Sequence, residues 1–442
     1  MVTPRTLVDK LQRAGITKPA LQWEKTHTYP ASKPEYVART PHDLFDGFQL
    51  PESRNIWAYI HVPFCNYNCG FCFYAKLIAK EGSARQKALV ERYLETLPRE
   101  MDFGLRKLGL RTFSVKDLYV GGGTPMALDE RQLAKFLEIL ATRFEFQTDA
   151  LATIEASPES LTAAKIEMLR SAGFSRFSLG IQSAERQFLD VSGRKHTVED
   201  AFAAYDLLRE HDVDHINVDL IYGFPGETPK MWEASLRRVM ERIEPESLTL
   251  YYLRYVPGTP FTRRIEVEER TAWEVTVEMR QRYMRYLEEC GYEMCRPHFY
   301  RKPEDRIRRY HGAPTLDHHN YGTQIGFGPS AYSHLGYQVG RSASTLDDWI
   351  QKVEDVGFGT VEGRELTLRD RVIRRMMQDL CNMGVLKKTR FAKEFGTSPE
   401  KFFGEEIRTL ISLGLVENTV DELKLTPSGI LVDEEIAHWI QK

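Results

Sequence analysis

From Ile56 onward, short runs of β-branched, aromatic and aliphatic residues alternate with longer stretches whose apolar positions recur every three to four residues. The short runs predict strands over Ile56–His61, Val115–Val120, Leu151–Ala156, Phe174–Gly180, His215–Tyr222 and Leu248–Leu253. The longer stretches predict helices over about 86–107, 129–144, 162–172, 198–211, 230–242 and 268–289. In 129–144 the residues Leu133, Phe136, Leu137 and Leu140 share one face, as a 3.6-residue period demands, and Asp129 stands where an N-cap belongs. Strands that alternate with helices imply a parallel sheet with right-handed crossovers. Six such units fall short of the eight that close a barrel. The expected fold class is therefore α/β, an open, partial (β/α)6 TIM-type barrel.

The repeat occupies residues 55–290, and different patterns flank it. Residues 1–54 carry prolines at 4, 19, 30, 34, 41 and 51 and read as an N-terminal arm with one short helix. Residues 291–361 lack the repeat and read as an accessory segment closing the active site. They hold a basic loop, Arg306-Ile-Arg-Arg309, and the run Asp317-His-His-Asn-Tyr321. Residues 362–442 form short helices and then Leu423-Lys-Leu-Thr-Pro-Ser-Gly-Ile-Leu431, a β-wing followed by a helix. That is a winged-helix-like domain. It lacks a strongly basic recognition helix, so a lid or packing role is expected rather than DNA binding.

Composition narrows the class. Hydrophobic residues make up 42% and charged residues 28%, which suits a globular protein with a sizeable core. A net charge of -3 gives no ground for nucleic acid or an anionic membrane as partner. There is no run of eighteen apolar residues, so no membrane span is expected. The start Met1-Val-Thr-Pro-Arg-Thr-Leu-Val8 lacks a secretory pattern, and a cytoplasmic location is expected. Six cysteines, three of them bunched, do not make a disulfide framework. The scattered ones, Cys290, Cys295 and Cys381, are expected to be buried small hydrophobes.

The bunched ones carry the chemistry. Cys65, Cys69 and Cys72 follow Tyr59-Ile-His-Val-Pro-Phe64 with C-x3-C-x2-C spacing. Three thiolates on a four-iron cluster leave one iron open, and an open site is where a metal centre reacts. The rival is structural zinc, with His61 completing a Cys3His tetrahedron. Phe64, Tyr67, Phe71, Phe73 and Tyr74 interleave the cysteines. They either exclude water and pack over a flat ligand or simply seat the loop. In parallel sheets ligands gather at the carboxyl ends of strands. The cysteine loop follows the first strand, Gly121-Gly-Gly-Thr-Pro125 the second and Gln182 the fourth. Glu155 ends the third, and Asp219 lies near the end of the fifth. Each has a plain alternative: a tight turn for the glycines, surface acids for Glu155 and Asp219, and a helical pair with Asp190 for Arg194.

These residues resemble the radical S-adenosylmethionine (SAM) superfamily. Residues 55–440 as a whole are similar to its oxygen-independent coproporphyrinogen III oxidase-like (HemN-like) branch. The resemblance rests on Leu118-Tyr-Val-Gly-Gly-Gly-Thr-Pro125, Ile154-Glu-Ala-Ser-Pro-Glu-Ser160, Ser178-Leu-Gly-Ile-Gln-Ser183, Gly193-Arg-Lys-His196, Asn217-Val-Asp-Leu-Ile-Tyr-Gly-Phe-Pro-Gly226 and Pro257-Gly-Thr-Pro260. It implies a [4Fe–4S] cluster on Cys65, Cys69 and Cys72. It also implies reductive cleavage of S-adenosylmethionine to a 5′-deoxyadenosyl radical that abstracts hydrogen from a small-molecule substrate. A one-electron donor of flavodoxin or ferredoxin type is implied as partner. The branch holds two S-adenosylmethionine molecules. By motif match Tyr59, Gly122, Glu155, Arg254 and Tyr332 would line the first; Phe71, Gly123, Thr124, Gln182, Arg194 and Asp219 would line the second.

The match departs in two places. Coproporphyrinogen oxidases proper carry a further cysteine two residues past the third, where this chain has Tyr74. Heme-chaperone members carry a His-Asn motif followed by Tyr-Trp, whereas His319-Asn-Tyr321 is not followed by tryptophan. The loop version here looks more like the class C radical methyltransferases and cyclopropane-forming members. The leading expectation is thus carbon–carbon bond formation, by methyl transfer or cyclopropanation, on a small unsaturated metabolite. The alternatives are oxidative decarboxylation of coproporphyrinogen III, with Arg296, Arg301, Arg306, Arg308 and Arg309 meeting propionates, and heme carriage.

Overall fold

The computed structural model describes residues 3–18, 37–39, 44–50, 55–303 and 323–441. The basic loop Arg306–Arg309 and the run Asp317–Tyr321, with His318 and His319, lie outside the described residues.

Six strands and their helices follow the predicted alternation. They are β1 (Asn55–Val62), α1 (Ala84–Leu108), β2 (Phe113–Gly122), α2 (Glu130–Ala141), β3 (Phe144–Ala156), α3 (Ala163–Ser171), β4 (Arg176–Gln182), α4 (Val198–Glu210), β5 (His215–Tyr222), α5 (Pro229–Arg242), β6 (Ser247–Tyr252) and α6 (Trp273–Glu289). Asp129 caps α2 in a reciprocal box with Gln132. That helix stops at Ala141, three residues before the expected end, because Phe144 already pairs with Phe113 as the first rung of β3. A bulge between Val115 and Asp117 lets β3 run from Phe144 instead of Leu151. An extra short helix, Arg186–Ser192, ends on Gly193 in the left-handed region.

Contact density divides the chain into two units: residues 32–219 with 307–366, and residues 1–31 with 220–306 and 367–442. In the first unit β1, β2, β3 and β4 are neighbours in that order, and all three pairings are parallel. Register aligns their carboxyl ends, with Val62 opposite Gly122, Val120 opposite Ile154 and Glu155 opposite Ser178. The sheet continues past β1. Strand Thr323–Phe327 runs parallel to it, and Tyr332–Leu335, Gln338–Ser342, Thr360–Glu365 and Val37–Ala38 add antiparallel rungs. The segment beyond the repeat therefore extends the sheet beside Tyr59, whose partners are Tyr119 and Gly326.

A buried acid locks that extension onto α1. Glu100 accepts the backbone N–H groups of Gly328 and Gly359, each at 2.8 Å, and the Trp349 indole N–H at 3.1 Å. Burial pushes its carboxyl up to about 7, although the three donors oppose the shift.

In the second unit, antiparallel strands Phe299–Arg301 and Glu293–Arg296 line up beyond β6. Residues 368–441 form helices around a three-stranded antiparallel sheet of Val385–Lys387, Glu422–Leu425 and Val416–Asn418. Leu7, Leu11 and Ile16 join Met376, Leu380, Leu410, Leu423 and Ile436 in one core, so helix Pro4–Arg13 is built into this unit. Arg280 and Asp433 form a buried ion pair of 2.6 Å. All six cysteines are free, but Cys381 alone of the scattered three is buried. Cys290 is exposed, contrary to expectation, because it caps the carboxyl end of α6.

Candidate active site

The cysteine loop leaves the end of β1 and closes on itself. Phe64–Cys65 pairs with Leu77–Ile78, and the Ala79 N–H donates to the Cys65 carbonyl at 3.0 Å. Within this ring Cys65 and Cys69 are buried and Cys72 is half-buried. Burial pushes Cys65 up to about 12 and raises Cys69 as well, and the neighbouring thiols add to both shifts. A ligand cation must therefore displace protons here, as thiolate sites require. The Thr124 hydroxyl lies 3.6 Å from Cys65 Sγ, and Arg194 Nη1 donates to Cys69 Sγ at 3.8 Å. Three free thiols in a closed ring, two of them touched by donors, fit a thiolate-held cluster.

The structure argues against zinc with His61 as fourth ligand. Both ring nitrogens are engaged: Nε2 lies 2.8 Å from the Ala75 carbonyl and Nδ1 3.0 Å from the Tyr59 hydroxyl. A carbonyl only accepts, so Nε2 carries the proton and Nδ1 accepts from Tyr59. Among the described residues no three His, Cys, Asp or Glu side chains converge on one ion. A four-iron cluster seats each thiolate on a different iron and does not ask for that convergence.

The glycine run is more than a tight turn. A Cβ at Gly121 would lie 2.6 Å from the Glu155 carboxyl carbon, and one at Gly123 would lie 2.6 Å from the Phe64 carbonyl oxygen. Gly122 has φ +104°, and a Cβ there would press on the His61 ring at 2.5 Å. Only glycine lets the backbone pass so close to the cysteine loop. Glu155 is not a loose surface acid. It accepts from the Tyr119 hydroxyl at 2.7 Å and the Gly122 N–H at 3.1 Å, which fixes its carboxylate against the glycine run. Burial, and then Glu155, raise the Tyr59 phenol well above its ordinary value; Tyr332 adds to the shift, which places it in the same neighbourhood.

The other set gathers at β4 and β5. Gln182 sits in the left-handed region at φ 70°, a strained conformation for a residue with a Cβ. Gly180 leaves room for its amide, since a Cβ there would lie 2.7 Å from Gln182 Nε2. Arg194 is buried, and its Nη2 donates to the Gly180 carbonyl at 2.5 Å. The helical pair with Asp190 does not form, because Arg186 takes that acid at 2.6 Å. Asp219 accepts from Ser178 at 2.9 Å and Asn217 at 2.8 Å. Phe71 stands half-buried between Cys69 and Cys72.

Chained contacts thus bring Tyr59, the cysteines, Gly122, Thr124, Glu155, Gln182 and Arg194 to one edge of the first unit. Arg254 belongs to the second unit, where its Nη2 meets Glu434 Oε1 at 2.5 Å. Sequence reasoning missed Tyr119, Glu159 and His196 as partners. The last two stand inside quoted motifs, but spacing names no partner for them.

A family model of the radical SAM superfamily matches residues 59–239, and that of the HemN C-terminal domain matches residues 366–432. The heme chaperone HemW of Bacillus subtilis (strain 168) is 28% identical over 382 residues, 86% of this chain and 97% of that protein. The oxygen-independent coproporphyrinogen III oxidase of Escherichia coli (strain K12) is 28% identical over 401 residues, 88% of this chain and 85% of that one. The solved coproporphyrinogen III oxidase (HemN) from Escherichia coli superposes with a TM-score of 0.77 at 26% identity, covering 88% of this chain and 90% of that one.

Proposed function

We propose that the chain, as a HemN-like radical SAM enzyme working with a [4Fe–4S] cluster and S-adenosylmethionine, oxidatively decarboxylates the propionate side chains of coproporphyrinogen III. The observation that carries this reading is the breadth of the match. Barrel and carboxyl-terminal domain are both similar to a coproporphyrinogen III oxidase across nearly the whole of each chain.

In this reading Cys65, Cys69 and Cys72 hold the cluster. When bound, the cluster supplies the electron that splits S-adenosylmethionine into methionine and a hydrogen-abstracting 5′-deoxyadenosyl radical. The chain's own residues bind and orient. Tyr59, Gly122, Glu155 and Tyr332 take one cofactor molecule; Phe71, Gly123, Thr124, Gln182, Arg194 and Asp219 take a second. The glycine run admits a ligand against bare backbone, and Glu155, fixed beside it, presents a carboxylate to an amine. A low-potential flavodoxin or ferredoxin is the electron donor, and the cytosol is the location. Among the described residues no helix is long and apolar enough to cross a membrane.

One observation favours a second reading, methyl transfer or cyclopropanation on a planar unsaturated metabolite. Tyr74 stands where coproporphyrinogen oxidases carry a further cysteine. It is exposed and stacked on Phe73, with ring centroids 4.7 Å apart and 25° between planes. The length shared with HemW makes heme carriage the third arm of the test.

One anaerobic experiment separates the three. Reduced, reconstituted protein is incubated with methyl-labelled S-adenosylmethionine and, in parallel, coproporphyrinogen III, planar unsaturated metabolites or heme, and products and bound heme are read by mass spectrometry. Loss of carbon dioxide with 5′-deoxyadenosine formation is expected. Label appearing as a one-carbon unit on an acceptor supports the second reading. Stoichiometric heme retention without turnover overturns both enzymatic ones.

A further inference from the structure

Two quoted motifs hold ionisable residues that neither cofactor set uses: Glu159 in Ile154–Ser160 and His196 in Gly193–His196. Glu159 lies against the cysteine loop, and His196 lies against Glu159. Tyr67, the middle residue of the three between Cys65 and Cys69, donates its hydroxyl to Glu159 Oε1. His196 sets Nδ1 3.5 Å from Glu159 Oε2 and Nε2 3.1 Å from the Ile181 carbonyl. Over the Tyr67 ring lies the Arg194 guanidinium, 5.7 Å from the ring centroid, and the same guanidinium reaches Cys69 Sγ. The loop is anchored on either side of Tyr67. The Gly70 N–H, just past Cys69, donates to the Ser192 carbonyl at 2.8 Å, and the Asn66 side-chain Oδ1 accepts the Glu81 N–H at 2.8 Å. Its middle is tied down through Tyr67, between a carboxylate at the hydroxyl and a cation at the ring face.

We propose that Glu159 is a positioning residue for the cluster. It holds Tyr67, and through Tyr67 it keeps the Arg194 guanidinium on the sulfur of Cys69. The inference rests on the cluster reading of the three cysteines and not on the identity of the substrate. Partners behind a ligand orient it and shield the metal, and losing one typically costs about 10–100-fold in metal affinity. A Tyr67 released from Glu159 lets the Cys65–Cys69 span open to water, and Arg194 loses the ring that backs it.

The test uses the full-length reconstituted holoprotein and the rate of iron loss to a chelator, with the thermal midpoint of iron-free protein alongside. Glu159→Ala and Tyr67→Phe are each expected to speed iron loss about tenfold at unchanged iron-free stability. Glu159→Gln keeps an acceptor for the phenol and is expected to restore most of the retention. The double variant Glu159→Ala/Tyr67→Phe should be no faster than the faster single, because both changes break the same link. Unchanged iron loss in the singles overturns the proposal. So do additive effects in the double variant, or iron-free stability that falls in step with iron loss. Should Glu159→Ala fail to fold, Tyr67→Phe against wild type decides in the same way. Wild-type protein that takes up no iron sinks the cluster reading itself, a result visible before any variant is compared.

Discussion

Arg194 and Cys69, 125 residues apart in the chain, meet guanidinium to sulfur, with Nη1 3.8 Å from Sγ while Nη2 is held by the Gly180 carbonyl. One planar cation thus ties the cysteine loop to β4. A charged donor on a ligand sulfur favours the more reduced cluster. Arg194→Lys keeps the charge but loses the fork that makes both contacts. The expected result is a more negative cluster midpoint and a KM for S-adenosylmethionine raised about tenfold (~1.4 kcal/mol). A redox titration followed by electron paramagnetic resonance, together with 5′-deoxyadenosine kinetics, reads both. Values equal to wild type would remove Arg194 from this role.

Gly122 tests the glycine run. A side chain there is strained at φ +104° and meets the His61 ring at 2.5 Å. Gly122→Ala is expected to cost about 1–3 kcal/mol in backbone strain alone. Displacing His61 also loosens its hold on Ala75 at the far side of the cysteine loop. Iron content after reconstitution should drop along with the melting temperature. A variant with full iron and wild-type stability would show the run to be an ordinary turn.

Glu100 gives a pH signature. Its carboxyl is pushed up by burial to about 7 in the folded chain, against an ordinary 4.5 when unfolded. The folded state therefore holds the extra proton between those values. This contribution to stability is fully present below 4.5 and is lost as pH rises through 7, about 3 kcal/mol in all. Glu100→Gln abolishes that titration. Denaturation at pH 5 and pH 7.5 should show the variant gaining on wild type as pH rises; a constant difference between them would argue against a buried protonated acid.

Arg280 and Asp433 belong to the second unit, with side chains 8% and 3% exposed. Removing one partner of a buried pair leaves the other charge uncompensated. Arg280→Ala should cost about 3–5 kcal/mol. Urea unfolding is the measurement, and a loss under 1 kcal/mol would mean that water reaches Asp433.

Periodicity carries much of this architecture, because each β/α unit buries its own apolar face. His215–Tyr222 is read residue for residue, and α1 ends within two residues of the pattern. The cysteine loop and glycine run are legible for a different reason: their chemistry is local. Spacing is silent where side chains meet across the fold. Tyr67 and Glu159 are 92 residues apart, and Arg254 and Glu434 are 180 apart. The motif match assigns Arg254 to a cofactor, whereas the fold also gives it an acid. The four strands between residues 323 and 365 escape the pattern for a third reason. They are short and join an existing sheet, so no repeat announces them.

The pairing of Phe64–Cys65 with Leu77–Ile78 makes residues 65–78 a ring shut by protein hydrogen bonds alone. Shutting a loop costs conformational entropy whenever it happens. We expect that loss to fall on folding, with iron and sulfide entering a mould already set. Folding and metal loading are then separable events. Iron-free protein should be a compact, storable species that an assembly system can fill late, and losing the cluster should cost activity long before it costs structure.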